Sequence, residues 1–324
     1  MREVSIVIPN YNGKHFLEDC LKAVFAQDIE NMEVIVVDNG SCDGSLEYLN
    51  AYPGVRTIAL DKNYGFCGAV NAGIKATNSD YVILLNNDTE VDRNFAKELL
   101  NAIREDEKIF SCSSKMVQFH DRNRMDDAGD YYCALGWAFG RGKNGFVEDY
   151  DHPAKIFASC AGAAIYRKKM LESLGYFDEN HFAYLEDIDI GYRARIHGYK
   201  NLYAPKAVVY HVGSGFSGST HNAFKVKLSS RNSVYLAYKN MPFLQIILNS
   251  PFLFLGHAVK WLFFLKKGLG KEYVQGVKEG FALCKREKKV RFLWKNLPNY
   301  AVIQLELWLN MVRRLKRSKV DIYD

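Results

Sequence analysis

The chain is expected to fold as a doubly wound, mainly parallel α/β sheet followed by a basic helical C-terminal region. Three observations predict it. Short Val- and Ile-rich runs alternate with helix-length segments, polar residues close the runs, and the charge balance reverses near residue 220. The runs are VSIVIP (4–9), EVIVVD (33–38), VRTIAL (55–60) and YVILLN (81–86). Nearly continuous apolar strands suit a sheet covered on both faces. Helix candidates lie between and after them at 14–27, 43–51, 66–77 and 93–105, the second opened by Asp43 or Ser45 as N-cap. IFASCAGAAIY (156–166) adds a strand, and RKKMLESLGYFDE a helix and turn.

At 324 residues, 48% of them apolar, the chain has the length and composition of a globular protein with one large or two smaller domains. Its seven cysteines form no CxxC pair and are expected as reduced, buried thiols in a cytosolic setting, without zinc-ligand spacing. No secretory leader is expected from the opening residues. Residues 221–324 hold 20 Lys and Arg against 6 Asp and Glu, whereas residues 1–220 hold 23 against 31. The two regions therefore suit different partners.

Ligands of doubly wound sheets gather beyond the carboxyl ends of the strands. Here those ends are Pro9-Asn10-Tyr11-Asn12, Asp38-Asn39-Gly40-Ser41 and Asn86-Asn87-Asp88, and DKNYGFCGAVNAGI follows the third strand. Together they form a candidate nucleotide pocket. Gly65, Gly68 and Gly73 do not have GxGxxG spacing, and no Walker loop is present, which counts against dehydrogenases and kinases.

VSIVIPNYN, VIVVDNGSCDGS, NYGFCGAVNAGI, LLNNDTEV and YLEDIDIGYRARIHGY resemble, in this order and spacing, the motifs of family 2 inverting glycosyltransferases with the GT-A fold. The likeness covers about residues 3–220, and the subgroup it most resembles is the bacterial rhamnosyltransferase-like enzymes of surface-polysaccharide assembly. It implies that Asp38 accepts a hydrogen bond from N3–H of uracil or thymine. Pro9 and Tyr11 would line base and ribose, and Asn63 and Asn71 would approach the nucleotide. A turn or cap role for Asp38 and ordinary packing for Tyr11 are the structural alternatives.

By the same resemblance LLNNDTEV is the Asp-x-Asp element, with Asn86 first and Asp88 last. Asp88 would give an oxygen to Mn²⁺ or Mg²⁺ while the substrate diphosphate completes the shell. Asn86, being neutral, would orient ribose or a water. A helix N-cap is the other reading of Asp88. His211, closing KAVVYH, is implied as a further metal ligand, imidazole suiting Mn²⁺ better than Mg²⁺. The Gly- and Ser-rich loop 213–219 would fold over the diphosphate.

Inversion needs a base for the acceptor hydroxyl, and the resemblance places Asp187 there with Glu186 as its partner. Glu186, Asp187 and Asp189 repel one another, which raises a carboxylate pKa, whereas a helix N-terminus opposes that rise. Ala161, Gly162 and Ala163 fall where the family has a wall of the donor-sugar and acceptor site. Residues 118–153, with Gly136, Gly140, Gly142 and Gly145, are read as an acceptor-facing insertion.

PFLFLGHAVKWLFFLKK is broken for spanning by Gln245, Asn249, Pro251, His257 and Lys260, so an interfacial amphipathic helix on an anionic membrane surface is expected. WLNMVRRLKRSK has the same character, and a helical core packed onto the catalytic domain is the alternative. No nucleic-acid-binding module is present. The expectation is therefore a GT-A catalytic domain in residues 1–220 and a helical, basic, membrane-associating region in residues 221–324. The enzyme would sit in the cytoplasm, peripheral on the inner face of the cell membrane. It would move a sugar from dTDP-rhamnose or a UDP-hexose to a polyprenyl-diphosphate-linked glycan. A sugar-nucleotidyltransferase would need a glycine-rich phosphate loop and lysine that PNYN does not provide. A non-catalytic carbohydrate- or lipid-binding relative would not need Asp38, Asp88 and Asp187 together.

Overall fold

A computed structural model describes residues 3–213 and 221–317. The loop expected to cover the diphosphate lies, from residue 214, outside the described residues, as does the end of the basic tail.

The first half alternates β1 (Val4–Asn10), α1 (Lys14–Phe25), β2 (Met32–Asp38), α2 (Ser45–Ala51), β3 (Val55–Ala59), α3 (Gly65–Ala76) and β4 (Tyr81–Leu85). Then come β5 (Thr89–Val91), α4 (Phe95–Arg104), β6 (Ile109–Gln118), β7 (Met125–Asp127), β8 (Asp130–Tyr132) and β9 (Ala138–Gly140). β10 (Ala154–Ile156), β11 (Ala163–Arg167), α5 (Lys168–Leu174), α6 (Glu186–Ile196) and β12 (Lys200–His211) complete the sheet region. The single strand expected over 156–166 is two, because residues 157–162 leave the sheet between β10 and β11.

The sheet runs β10-β12-β6-β11-β4-β1-β2-β3, with β5 on β12 and β7 on β6. β3, β2, β1 and β4 are parallel, whereas β11 lies antiparallel between β4 and β6. Alternate residues of each strand face opposite layers. Ile6 and Ile8 of β1 meet Leu17, Leu21 and Val24 of α1 and Phe95 and Leu99 of α4. Val7 faces the other way, toward Val70 and Ile74 of α3 and Ile190 of α6. The buried positions of α1 (Leu17, Cys20, Leu21, Val24) have the spacing of one helix face. All seven cysteines are free thiols; against the expectation of burial, Cys42 is exposed and Cys160 and Cys284 are half-buried.

The C-terminal helices are α7 (Ala223–Asn240), α8 (Phe243–Lys266), α9 (Gly270–Leu283) and α10 (Leu297–Arg317). A third core cluster takes residues from both sides of the charge boundary: Tyr132, Phe157 and Tyr192 with Leu236, Tyr300 and Leu307. Arg195 pairs with Glu306 of α10, and Asn310 Nδ2 donates to the Tyr132 carbonyl at 2.9 Å. α7 and α10 are thus helical core on the sheet domain.

α8 carries its polarity inside out. The residues that interrupt its apolar run mostly turn inward and are satisfied there. Tyr192 Oη donates to Gln245 Oε1 at 2.7 Å, and Gln245 Nε2 donates to the Tyr300 carbonyl at 2.8 Å. Asn249 Nδ2 donates to Gln304 Oε1 at 2.9 Å, and His257 Nδ1 lies 2.7 Å from Tyr273 Oη. Lys260 Nζ sits over the Trp137 ring. Outward point Phe243, Leu244, Phe254 and Leu262, with Phe254 78% exposed. By length and composition α8 would suffice to cross a membrane.

Candidate active site

The parallel register sets Asn10 of β1 beside Asp38 of β2, so both strands end at one place. Asn10 Nδ2 donates to Asp38 Oδ1 at 3.0 Å, and the Ser41 N–H donates to Asp38 Oδ2 at 3.0 Å. The Asn12 N–H (φ 51°) and Asn10 Nδ2 both reach Ser41 Oγ. Asp38 is only 1% exposed and organises its turn, in keeping with the structural alternative; each carboxylate oxygen retains a further lone pair for a base. Pro9 and Tyr11 flank Asn10, both half-buried.

Asn63 closes the third loop. Its Oδ1 accepts from the Gly65 N–H at 2.8 Å and from Asn39 Nδ2 at 3.0 Å. Gly65 has φ +75°, and a side chain there would overlap the carbonyl and ring of Phe182. The Cys67 N–H donates to that same carbonyl at 3.1 Å. The third loop is therefore seated directly on the segment that leads into α6. Asn71 is engaged elsewhere than expected. Its Nδ2 donates to the Phe177 carbonyl and Glu179 Oε1, and its Oδ1 accepts from the Phe177 N–H. Its amide thus holds the 177–179 turn to α3.

Asp88 and His211 come together across the β5–β12 pair, whose register matches Thr89 with His211. His211 Nε2 lies 3.3 Å from Asp88 Oδ1, and Nδ1 lies 2.6 Å from Asp126 Oδ2. Nothing in the sequence singles out Asp126. Asp127 pairs with Met116 and Met125 with Val117, leaving Asp126 as the extra residue of a β-bulge in β7. Bulges re-aim a side chain, here onto the imidazole. Burial acts to lower the His211 pKa, but hydrogen bonds to Asp126 and Asp88 push it up to about 10. Asn87 Nδ2 donates to Asn10 Oδ1 at 2.7 Å, tying this strand end to the first. The Asn86 N–H donates to the Gly162 carbonyl at 2.8 Å. A side chain at Gly162 would meet Asn86 Nδ2 at 2.9 Å, so the small-residue wall permits this close approach.

Asp187 and Glu186 open α6. Burial raises the Asp187 pKa, against the opposing N–H groups of Ile188 and Ala161. Desolvation therefore outweighs the helix N-terminus. Ala161 and Gly162 link the two motifs, one facing Asp187 and the other Asn86. Glu186 is buried with Oε2 unpartnered, and burial with the neighbouring Asp187 holds its pKa well above the usual range. Asp189 answers to different neighbours. Burial would raise its pKa, but Arg193 and Lys239 hold it well below the carboxylate range. Two further acids surround Asp187: burial, with Asp126 and Asp187 nearby, pushes Asp127 up to about 7, and Asp130 is raised by burial and Asp127. With Cys160 they form one close group of possible ligand atoms. Their only sequence signal is the acid-rich run MDDAGD.

Comparison with known proteins bears on the family and the fold. The family model described as glycosyl transferase family 2 matches residues 5–175. The poly-β-1,6-N-acetyl-D-glucosamine synthase of Staphylococcus aureus (strain COL) is 24% identical over 215 residues, 64% of this chain and 49% of that protein. Glycosyltransferase GlyG of Streptococcus pneumoniae serotype 4 is 30% identical over 106 residues, 32% of this chain and 35% of its own length. The chain thus spans about half the length, or less, of these curated relatives. Among solved structures, GalNAc-T7 with UDP, GalNAc and Mn²⁺ superposes with a TM-score of 0.59 at 18% identity, over 72% of this chain and 47% of that one. The mannosyltransferase PcManGT of Pyrobaculum calidifontis, in complex with GDP-Man and Mn²⁺, gives 0.50 at 16% identity, over 94% and 87%. These likenesses show a shared GT-A fold. The chain belongs to glycosyl transferase family 2.

Proposed function

We propose that the protein transfers a sugar, with inversion, from a nucleoside-diphosphate donor to a hydroxyl of a lipid-linked glycan. The meeting of Asp88, His211 and Asp126 carries this reading, because the resemblance implies two of the three as ligands and the third completes their geometry. A carboxylate on Nδ1 fixes the imidazole with Nε2 toward Asp88, the orientation common to metal-ligating histidines. Asp88 and His211 are the residues that would hold a divalent cation, and a carboxylate with an imidazole fits Mn²⁺ better than Mg²⁺. Bound there, the cation supplies charge neutralisation on the departing diphosphate.

Asp187 takes the proton of the acceptor hydroxyl as that oxygen attacks the anomeric carbon and the bond from that carbon to the diphosphate oxygen breaks. A raised pKa brings a carboxylate closer to that of the proton it must accept. Glu186, buried beside it and raised in turn, is its partner. Asp38, with Pro9 and Tyr11, receives the base, and Asn86 the ribose or a water. dTDP-rhamnose and UDP-hexoses are the donors to try first, and a polyprenyl-diphosphate-linked glycan is the acceptor. The outward apolar face of α8 and the surplus of Lys and Arg in residues 221–324 support an enzyme lying on an anionic membrane at the cytoplasmic face. The satisfied inward polar residues of α8 favour lying on the surface over spanning.

The test is a panel of nucleotide sugars with Mn²⁺, followed by melting temperature and by release of nucleoside diphosphate. One donor should raise the melting temperature and be consumed. Pyrophosphate-dependent turnover would instead make the protein a nucleotidyltransferase, and binding without turnover a non-catalytic relative.

A further inference from the structure

The segment before α6 is held in backbone conformations that side-chain-bearing residues rarely adopt. Phe182 has φ 64° and ψ −64°, with the Ala183 N–H donating to the His181 carbonyl at 2.8 Å, which makes a strained γ-turn. Tyr184 (φ 68°) and Leu185 (φ 67°) follow directly. Leu185 is the N-cap of α6 and gives it no side-chain cap. Asp187 thus stands on a first turn that follows directly from strained backbone and has no side-chain cap of its own. Such backbone persists only when its surroundings over-determine it.

Besides the contact of α3 with the Phe182 carbonyl, those surroundings come from α7, in the C-terminal region. Asn232 is fully buried, and its Nδ2 lies within hydrogen-bond distance of the carbonyls of His181 (2.9 Å), Ala183 (2.8 Å) and Tyr184 (2.8 Å), so that its two N–H bonds are shared among three acceptors. Arg231 Nη2 donates to the carbonyls of Asn180 and His181, both at 2.8 Å. Arg231 Nε also donates to Asn232 Oδ1 at 3.0 Å, which orients the amide. Two adjacent side chains therefore gather four of the six carbonyls of residues 180–185.

We propose that Asn232, oriented by Arg231, is the positioning residue for the base: it holds the 180–185 segment so that Asp187 meets the acceptor hydroxyl. The role assigned to Asp187 rests on the function proposed above, and the clamp itself rests on geometry. The C-terminal region then contributes to catalysis by positioning the base, in addition to any role at a membrane.

The experiment uses the full chain with Asn232→Ala, Arg231→Met and, as a control, Ser233→Ala. Ser233 Oγ donates from the same helix to the Gly136 carbonyl, so its loss reports on helix docking alone. Amide hydrogen exchange is followed at His181, Phe182, Ala183 and Asp189, which donate within or next to the segment. In Asn232→Ala these amides should exchange about 10-fold faster while β1 and β2 stay protected. With the donor that turns over, kcat should fall about 100-fold, the scale of a small misplacement of a catalytic group. The Kd of the matching nucleoside diphosphate with Mn²⁺ should stay within about threefold, and Ser233→Ala should keep kcat within about the same factor. Arg231→Met should show the same pattern at about 10-fold in kcat, and it decides the matter if Asn232→Ala does not fold. Unchanged exchange in the segment, or an equal loss of kcat in Ser233→Ala, would overturn the proposal. If no donor turns over, the functional reading fails and the exchange result alone judges the clamp.

Discussion

Lys239→Met isolates the ion cluster that joins α7 to the catalytic helix. Lys239 Nζ lies 2.9 Å from Asp189 Oδ2 and 2.7 Å from Asp178 Oδ2, and Asp189 is fully buried. Removing one partner of a buried pair costs about 3–5 kcal/mol, because the remaining charge is left uncompensated. Arg193 still reaches Asp189 Oδ2 from two nitrogens and Asn240 donates to Oδ1 at 2.8 Å, which places the loss at the lower end, about 3 kcal/mol. For a chain of this size that is about 4 °C in melting temperature. The deficit also has a pH signature. Lys239 and, for Asp189, Arg193 hold the folded-state pKa values of Asp178 and Asp189 below the usual range despite their burial. The stability they supply is present in full above about pH 4 and is lost as pH falls through the folded values. Wild type and variant, unfolded thermally and in urea under circular dichroism, should therefore differ by a constant margin from pH 5 to 8 and converge below about pH 4. A margin below about 1 kcal/mol at pH 7, or one that persists undiminished in acid, would refute this account of the cluster.

Asp187→Asn should reduce turnover by at least about 100-fold with nucleotide binding intact, and loss of binding measured by calorimetry would remove Asp187 from the role of base. Asp88→Ala should weaken nucleoside-diphosphate binding when Mn²⁺ is present and leave it nearly unchanged in chelator; equal weakening in both would exclude a metal contact. Asp126→Ala should lower Mn²⁺ affinity by about 10- to 100-fold in a titration followed by electron paramagnetic resonance, the usual effect of losing a partner that orients a ligand. Phe254→Glu on the outer face of α8 should cut co-sedimentation with phosphatidylglycerol vesicles by about 10-fold or more, and unchanged sedimentation would point to another contact surface.

Much of the sheet is legible in the sequence because its signals are local. β1, β2, β3 and β4 lie within a residue or so of the apolar runs, and the polar residues after them mark one edge. Asp88 and His211 are brought together only by resemblance, since nothing in their spacing reveals that β5 pairs with β12. Asp126 is invisible for a further reason: its aim depends on a one-residue bulge, which adjacent sequence does not encode. The tether from Asn71 to the 177–179 turn is not legible either, because its partners lie more than a hundred residues along the chain. The charge boundary at 220 misleads in part. Arg231 and Lys239 count toward the basic tail, yet both point into the catalytic half. Removing everything after about residue 225 would therefore take away the clamp together with α8, so single charges on the outer face make the cleaner membrane test.

The bare backbone at Gly65 has a mechanical consequence. With no side chain to hold them apart, the start of α3 and the turn at Phe182 touch amide to carbonyl. Even a methyl group at this one position would wedge the two apart and shift the stretch of chain that leads into α6.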